Sequence, residues 1–291
     1  MSIRRGKTFD EVKRNENLNS KEDEGIEMPK AIVCVKQVID PEAPTSTFQI
    51  DPAGKRALAP AGSPPVISPY DANALEAALR LKDEQQFEII VISMGRKLSK
   101  PVLQKALACG ADQVILLQDE SFDLFDSYAT ASVLAAAIKK IGAYDLILCG
   151  RQASDTNAGQ VGIGIAALLD LPCITVARSV AFHSGTIQVE RRMSDGYETI
   201  EASAPAVITA DSEIGNLRIA PVKAVMASRK AVLPVWTAGD LGISAGELIR
   251  TEFVALSKAE SRAGKGVMVQ GTTPAEAGES LATVLMDSGM I

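Results

Sequence analysis

From Pro29 onward the chain alternates between short apolar blocks and longer amphipathic ones. Ala31-Ile-Val-Cys-Val-Lys36, Glu88-Ile-Ile-Val-Ile-Ser-Met94, Val114 to Leu117 and Asp145-Leu-Ile-Leu-Cys149 are continuous apolar runs. Runs of that length fit strands buried on both faces. Between them, apolar residues recur at helical spacing: Ala74, Leu75, Ala78 and Leu79, then Val102, Leu103, Ala106 and Leu107, then a stretch from Asp126 to Ile141. Ser68-Pro69-Tyr70-Asp71 opens the first helix with a cap residue, a proline at the first helical position and an acid three residues after the cap. Ser99 and Pro101 open the second helix and Gly110 ends it, while Asp126 caps the third and Gly142 stops it. The order β-α-β-α-β-α-β with short links predicts right-handed crossovers and an α/β fold with a doubly wound, mostly parallel sheet.

The pattern then changes. Val176 to Phe182 and Thr186 to Met193 alternate around His183-Ser184-Gly185, which predicts an antiparallel hairpin with His183 in its turn. Ala206-Val-Ile-Thr209 is a further strand, and Pro221 to Lys230 has the makings of a helix. From Pro234 the chain is loop-rich until a terminal helix over about residues 274–288. The expected organisation is a leader (1–28), an α/β domain (29–233) and an extended C-terminal arm (234–291) suited to packing across the domain or reaching a partner. The leader is polar, with basic and acidic residues mixed, and is read as disordered, with Met28 as an alternative start. It has neither the apolar centre of a signal peptide nor the acid-poor composition of a mitochondrial presequence.

Composition narrows the function. Hydrophobic residues make up 46% of the 291 residues but aromatics only 4%, so the core is built from Ala, Val, Ile and Leu. A net charge of −6 offers no basic face for nucleic acid. No apolar run approaches the roughly 20 residues of a membrane span. Cys34, Cys109, Cys149 and Cys173 form no C-x-x-C pair and are read as buried free thiols of a reducing compartment, the cytoplasm. A single histidine, His183, argues against His-dependent metal sites and Ser-His-Asp catalysis, and no catalytic residue is assigned.

In an open α/β sheet, ligands bind outside the carboxyl ends of the strands. The most informative of those ends runs Gly150-Arg-Gln-Ala-Ser-Asp-Thr-Asn-Ala-Gly-Gln-Val-Gly162 and leads into the apolar helix Ile163 to Leu169. A small-residue loop opening a helix presents backbone N–H groups to an anion, and Arg151 adds a charge suited to phosphate. Gln152, Asp155, Asn157 and Gln160 offer hydrogen bonds to a ribose or an adenine edge. Gly159, Gly162 and Gly164 equally suit close helix–strand packing, and the pattern alone leaves both readings open. Neither the P-loop nor the G-x-G-x-x-G fingerprint is present. Asp71 and Asp155 lie near strand ends without a nucleophile or metal to serve, so loop or helix-cap roles suit them.

Several ordered segments resemble the electron-transfer flavoprotein beta subunits: Ala31 to Asp40, Ser68 to Lys82, Lys105-Ala-Leu-Ala-Cys-Gly-Ala-Asp112, Leu148 to Asp155 with Gln160-Val-Gly162, Ala204 to Asp211, and Gly239-Asp-Leu-Gly242. The resemblance implies an adenine-nucleotide hydrolase-like fold and a heterodimer with a larger alpha subunit whose FAD shuttles electrons. Donors would be acyl-CoA dehydrogenases, and acceptors quinone oxidoreductases or other reductases. The beta chain would hold AMP, or, in the electron-bifurcating branch, a second FAD that splits an electron pair from NADH.

Carried over residue by residue, the resemblance places Cys34, Ser68, Pro69, Tyr70, Asp71, Met94, Gly150, Arg151, Gln152, Ala153, Ser154, Asp155, Thr156, Asn157, Ala158, Gly159, Gln160 and Val161 around the nucleotide. Val222 falls at the family's hydrophobic anchor for a dehydrogenase, and Arg192 stands where the mitochondrial form has an acid. The small residues before Gln160 and the arginine after Gly150 match the bifurcating type, whereas Ala158-Gly159 departs from its Thr-Ala. The competing readings are an ATP-using enzyme or a nucleotide sensor of the related fold. The first lacks a phosphate-gripping glycine motif after the opening strand, and the second has no need of a hairpin and a long arm.

Overall fold

A computed structural model describes residues 2–4, 28–44, 47–60, 62–123, 126–252, 254–258 and 266–291. Contacts divide the chain into one unit through Ala255 and a second from Leu256 to Ile291. The first unit is built on a ten-stranded sheet: β1 Ser2–Arg4, β2 Lys30–Cys34, β3 Glu88–Gly95, β4 Gln113–Gln118, β5 Leu146–Gly150, β6 Cys173–His183, β7 Thr186–Arg192, β8 Tyr197–Ser203, β9 Ala206–Ala210 and β10 Val235–Trp236. Its spatial order is β1-β8-β7-β6-β9-β5-β2-β3-β4-β10. From β6 to β10 the pairings are parallel, and from β6 outward to β1 they are antiparallel.

The apolar runs become central strands because both faces are covered. In β2, Ala31 and Val33 face one core while Ile32 and Cys34 face the other; β3 and β5 divide in the same way. On the first face lie α1 (Pro69–Gln85) and α2 (Lys100–Cys109), on the second α3 (Ser127–Ile141) and α4 (Val161–Leu169). The chain runs outward from β2 through β3 to β4, then returns to place β5 on the other side of β2. That reversal opens a crevice at the carboxyl ends of β2 and β5.

Helix starts follow the sequence in position but not always in chemistry. Asp126 caps α3 as expected, its Oδ1 accepting the Ala129 N–H at 2.8 Å. Ser68 sits at the cap of α1 but makes no side-chain cap bond, and the Asp71 carboxylate turns to the strand ends instead of back to Ser68. The Ser68 N–H is already used by Lys36 O at 2.9 Å, so no capping box forms.

The antiparallel part is larger than a hairpin. Ser184 and Gly185, with φ of 48° and 82°, make the two-residue turn, and His183 closes β6 by pairing with Thr186. Strand β8 adds a third antiparallel member that the apolar pattern did not announce. Within the expected leader, Ser2–Arg4 pair with Thr199 to Glu201 of β8, and residues 5–27 lie outside the described residues. Strand β6 changes partner along its length, pairing parallel with β9 and then antiparallel with β7. The change is made at an irregularity where Val176 takes φ of 60° and its N–H donates to Thr209 Oγ1 at 3.1 Å.

The expected boundary at 233 also moves. Pro234 O accepts the Leu116 N–H, β10 pairs with β4, and Lys140 lies 4.8 Å over the Trp236 ring. The Arg250 and Thr251 N–H groups both donate to Asp126 Oδ2, so residues 234–251 stay with the first unit. Helix α5 spans Val222–Ser228 and packs beside α2. In the second unit, α6 covers Pro274–Asp287; Thr273 Oγ1 accepts the Glu276 N–H and Glu276 reaches back to the Thr272 N–H. Among the described residues no helix is long and apolar enough to cross a membrane.

At Gly164 α4 approaches α3 closely, where a Cβ would stand 2.9 Å from Ala131 Cβ. Gly164→Val is expected to lower stability by about 1–3 kcal/mol, the usual cost of overpacking. Urea unfolding checks this, and an unchanged midpoint would contradict the close packing.

Candidate functional site

The crevice is built around one carboxylate. Asp71, in the first turn of α1, accepts the Lys36 N–H on Oδ2 at 2.8 Å and the Gly150 N–H on Oδ1 at 3.0 Å. It thereby ties α1 to the ends of both strands that flank the topological reversal. Gly150 is required there: a Cβ would lie 2.5 Å from Asp71 Oδ1 and 2.7 Å from the Tyr70 carbonyl carbon.

From Gly150 the chain crosses the crevice. The Ser154 N–H donates to Ser68 Oγ at 3.4 Å, Gln152 Nε2 to Asn157 Oδ1 at 2.9 Å, and the Asn157 N–H to Ala153 O at 2.8 Å. Asn157 has φ of 51°, a conformation Asn tolerates better than most residues. At the rim, Lys36 Nζ meets the Asp155 carboxylate at 2.8 Å. The loop then enters α4 at Val161, where Gly162 lies against β9 and β5, a Cβ there being 2.8 Å from Thr209 Cγ2. The N–H groups of Gly159 to Ile163 have no acceptor among the described residues. Unpaired amides at a helix start, reinforced by the helix dipole, form a site for an anion.

Arg151 is held on two sides. Its Nη1 donates to Asp211 Oδ1 at 3.0 Å, its Nη2 to the Tyr70 hydroxyl at 3.3 Å, and the guanidinium lies 4.8 Å over the Tyr70 ring. Asp211 is fully buried at the end of β9, and Arg192 of β7 approaches its other oxygen at 3.2 Å. The Arg151 Nε and the Ser154 Oγ are buried without a hydrogen-bond partner. Below the floor, the Cys34 and Cys149 thiols meet across β2 and β5; that contact, with burial, holds Cys149 well above the ordinary thiol range.

Comparisons with known proteins place the chain in a family. The electron transfer flavoprotein domain matches residues 57–241. Subunit CarD of the caffeyl-CoA reductase-Etf complex of Acetobacterium woodii is 37% identical over 266 residues, 90% of this chain and 100% of CarD. The electron transfer flavoprotein subunit beta of Thermoanaerobacterium thermosaccharolyticum is 41% identical over 218 residues, 75% of this chain and 82% of that one. The chain belongs to the electron transfer flavoprotein beta-subunit family. FixA of Azorhizobium caulinodans is also similar, 35% identical over 219 residues, 73% of this chain and 76% of FixA.

Within this electron transfer flavoprotein beta chain, the residues expected from sequence are gathered at one end of the sheet but serve different ends. Ser68, Tyr70, Asp71, Gly150 to Asp155 and Asn157 are linked to one another or to the strand ends by the bonds just described. Met94 is half-buried at the end of β3, Cys34 is buried beneath, and Thr156, Ala158 and Gln160 are exposed on the loop. Val222, 80% exposed at the start of α5, makes no hydrogen bond to this cluster. Three contributors were not singled out from sequence: Lys36, Asp211, and Arg192 as a partner of Asp211. Their positions at or beyond strand ends were readable, but Asp211 lies 60 residues from Arg151, and nothing in the sequence joins them.

Burial above all, opposed by the two N–H donors, pushes the Asp71 carboxyl from its ordinary 3.8 up to about 7. An acid with a raised folded pKa adds stability below its unfolded pKa and loses it as pH rises through the folded one. The stability of the native chain relative to Asp71→Asn should therefore fall by a few kcal/mol from about pH 4 to about pH 7. Urea midpoints measured across that range check this; a difference independent of pH would contradict it.

Proposed function

We propose that the crevice at the ends of β2 and β5 holds an adenine nucleotide. With an alpha subunit, the chain would carry electrons between acyl-CoA dehydrogenases and quinone oxidoreductases or other reductases. The observation that carries the reading is the row of unpaired N–H groups from Gly159 to Ile163, opening α4 at the topological switch point. The donor set fits a nucleotide. The amides suit its phosphate, the unpaired Ser154 Oγ and Arg151 Nε suit its oxygens, and Gln152 and Asn157 suit its sugar or base edge. In this arrangement Asp71 fixes the floor and the Lys36–Asp155 pair stands at the rim. Arg151 is oriented by Tyr70 and Asp211, and so contributes through Nε and its field rather than as a free guanidinium.

We read the nucleotide as a second FAD. Ala153, Ser154, Ala158 and Gly159 keep the loop thin, which leaves room for a flavin-bearing ligand. A flavin supplies one- and two-electron redox chemistry, whereas AMP supplies none. Val222 is the proposed contact for the dehydrogenase, within an exposed apolar series that includes Ile219, Met226 and Val232.

The test is to purify the chain with its alpha subunit, denature the complex, and quantify flavin and AMP per heterodimer. Two FAD and no AMP is the expected result. One FAD and one AMP would overturn the flavin assignment while keeping the nucleotide, and a complex with neither nucleotide in this chain would overturn the pocket.

A further inference from the structure

The exposed apolar series around Val222 does not hang on a free loop. Immediately before it, residues 215–218 are fastened to α1. Asn73 Nδ2 donates to Gly215 O at 2.6 Å, and Gly215 takes φ of 107°, a left-handed conformation that favours glycine. Glu76, only 5% exposed, accepts the Arg218 N–H at 3.0 Å and the Arg218 Nε at 3.1 Å on one oxygen. Its other oxygen accepts Arg218 Nη2 and Arg80 Nε, each at 3.2 Å. Asp83, two turns along α1, holds the far side of the same guanidinium, with Nη2 at 2.8 Å. The Arg218 carbonyl in turn accepts from Cys109 Sγ of α2 at 3.4 Å.

The chain then alternates. Leu217 and Ala220 pack on the core, while Ile219 and Val222 stand 95% and 80% exposed. Gln104 of α2 reaches Arg229 O at 3.4 Å beyond the end of α5, so the segment is tied at both ends.

We propose that Arg218 is a positioning residue: clamped to Glu76 and Asp83 of α1, it sets the apolar ridge of Ile219, Val222 and Met226 in the conformation that a partner protein with an apolar pocket docks onto. This rests on the reading of Val222 as the dehydrogenase contact. The physical reason is entropic. A ridge ordered only on docking loses loop and side-chain freedom at that moment, and a ridge fixed beforehand does not. The clamp is specific to arginine, because the guanidinium fork meets two carboxylates while its own backbone N–H is bound to one of them. Glu76 cannot shed the pairing cheaply. Burial raises its carboxyl, yet the Arg218 hydrogen bonds outweigh burial and leave it below the ordinary carboxylate range.

The experiment uses the complete complex with its alpha subunit, and as electron donor an acyl-CoA dehydrogenase from the same organism, reduced with butyryl-CoA. Arg218→Ala, Glu76→Gln, Arg218→Lys and Val222→Asp are compared for KM and kcat toward the reduced dehydrogenase, for flavin content, and for amide exchange over residues 216–228. The clamp predicts a KM raised roughly tenfold in Arg218→Ala and Glu76→Gln, equivalent to the ordering of one or two side chains. It also predicts unchanged kcat and flavin content, faster exchange in the segment, and partial rescue by Arg218→Lys. A raised KM in Val222→Asp with normal KM in both clamp variants would overturn the clamp and leave the docking reading standing. Loss of flavin together with kcat in the clamp variants would show a merely structural pairing and overturn it. Unchanged KM in Val222→Asp would sink the docking reading and the role of the clamp with it.

Discussion

Two parallel strands that end side by side leave backbone N–H groups without partners, and here one carboxylate takes a group from each. Asp71 binds the Lys36 and Gly150 N–H groups from the first turn of α1. The strand ends, the helix start and the departing loop are thereby fixed by a single side chain. An apolar residue would leave two donors unsatisfied at the bottom of the crevice. Burying the carboxylate is itself unfavourable, which is why its pKa rises although both hydrogen bonds favour the ionised form. Gly150 completes the arrangement, since any side chain there would displace the carboxylate.

A second buried carboxylate extends this order sideways. Asp211 ends β9 between Arg151, which leaves β5, and Arg192, which belongs to the antiparallel extension. Arg192 also approaches Glu213 at 3.5 Å, and Arg178 links Glu190 to the same Glu213 while lying 3.9 Å over the Tyr197 ring. Asp211 Oδ1 accepts a hydrogen bond from Arg151, whereas Oδ2 meets Arg192 as a charge contact without one; a buried charge needs such pairing, so geometry in the extension and orientation of Arg151 are set together. The loop that carries the unpaired amides starts from an arginine whose position depends on strands on the far side of β9.

How much of this was legible follows from where the energy lies. Ile89 to Ile92 and Leu146 to Cys149 declare themselves because both faces are buried, so burial needs no period. Strand β8, by contrast, reads Tyr-Glu-Thr-Ile-Glu-Ala-Ser with only Ile200 and Ala202 buried, and its identity comes from pairing with β7 rather than from its own pattern. Strand β10 has two residues, too few for any period to appear. Ser68 and Asp71 were readable as a helix start, but whether the acid caps the helix or braces the strands depends on Lys36 and Gly150, which lie 35 and 79 residues away. The glycine-rich loop was visible as a loop. That Gly150 and Gly162 serve packing while Gly159 carries a left-handed turn is decided by neighbours the local sequence does not name.

Helix α1 connects the two ends of the proposed function. It has 17 residues, about 25 Å at 1.5 Å per residue. Its first turn supplies Ser68, Tyr70 and Asp71 to the crevice, and its later turns supply Asn73, Glu76 and Asp83 to the segment that leads to Val222. Its core face is fully occupied by Ala74, Leu75, Ala78 and Leu79, each no more than 1% exposed, so it has little freedom to bend or slide. On the proposed reading, a close-packed helix of this kind holds the crevice and the ridge in a fixed relation to each other. Its two buried carboxylates, Asp71 and Glu76, lie only five residues apart, roughly 7.5 Å along the axis, so one short stretch of helix braces both the crevice and the segment that leads to Val222.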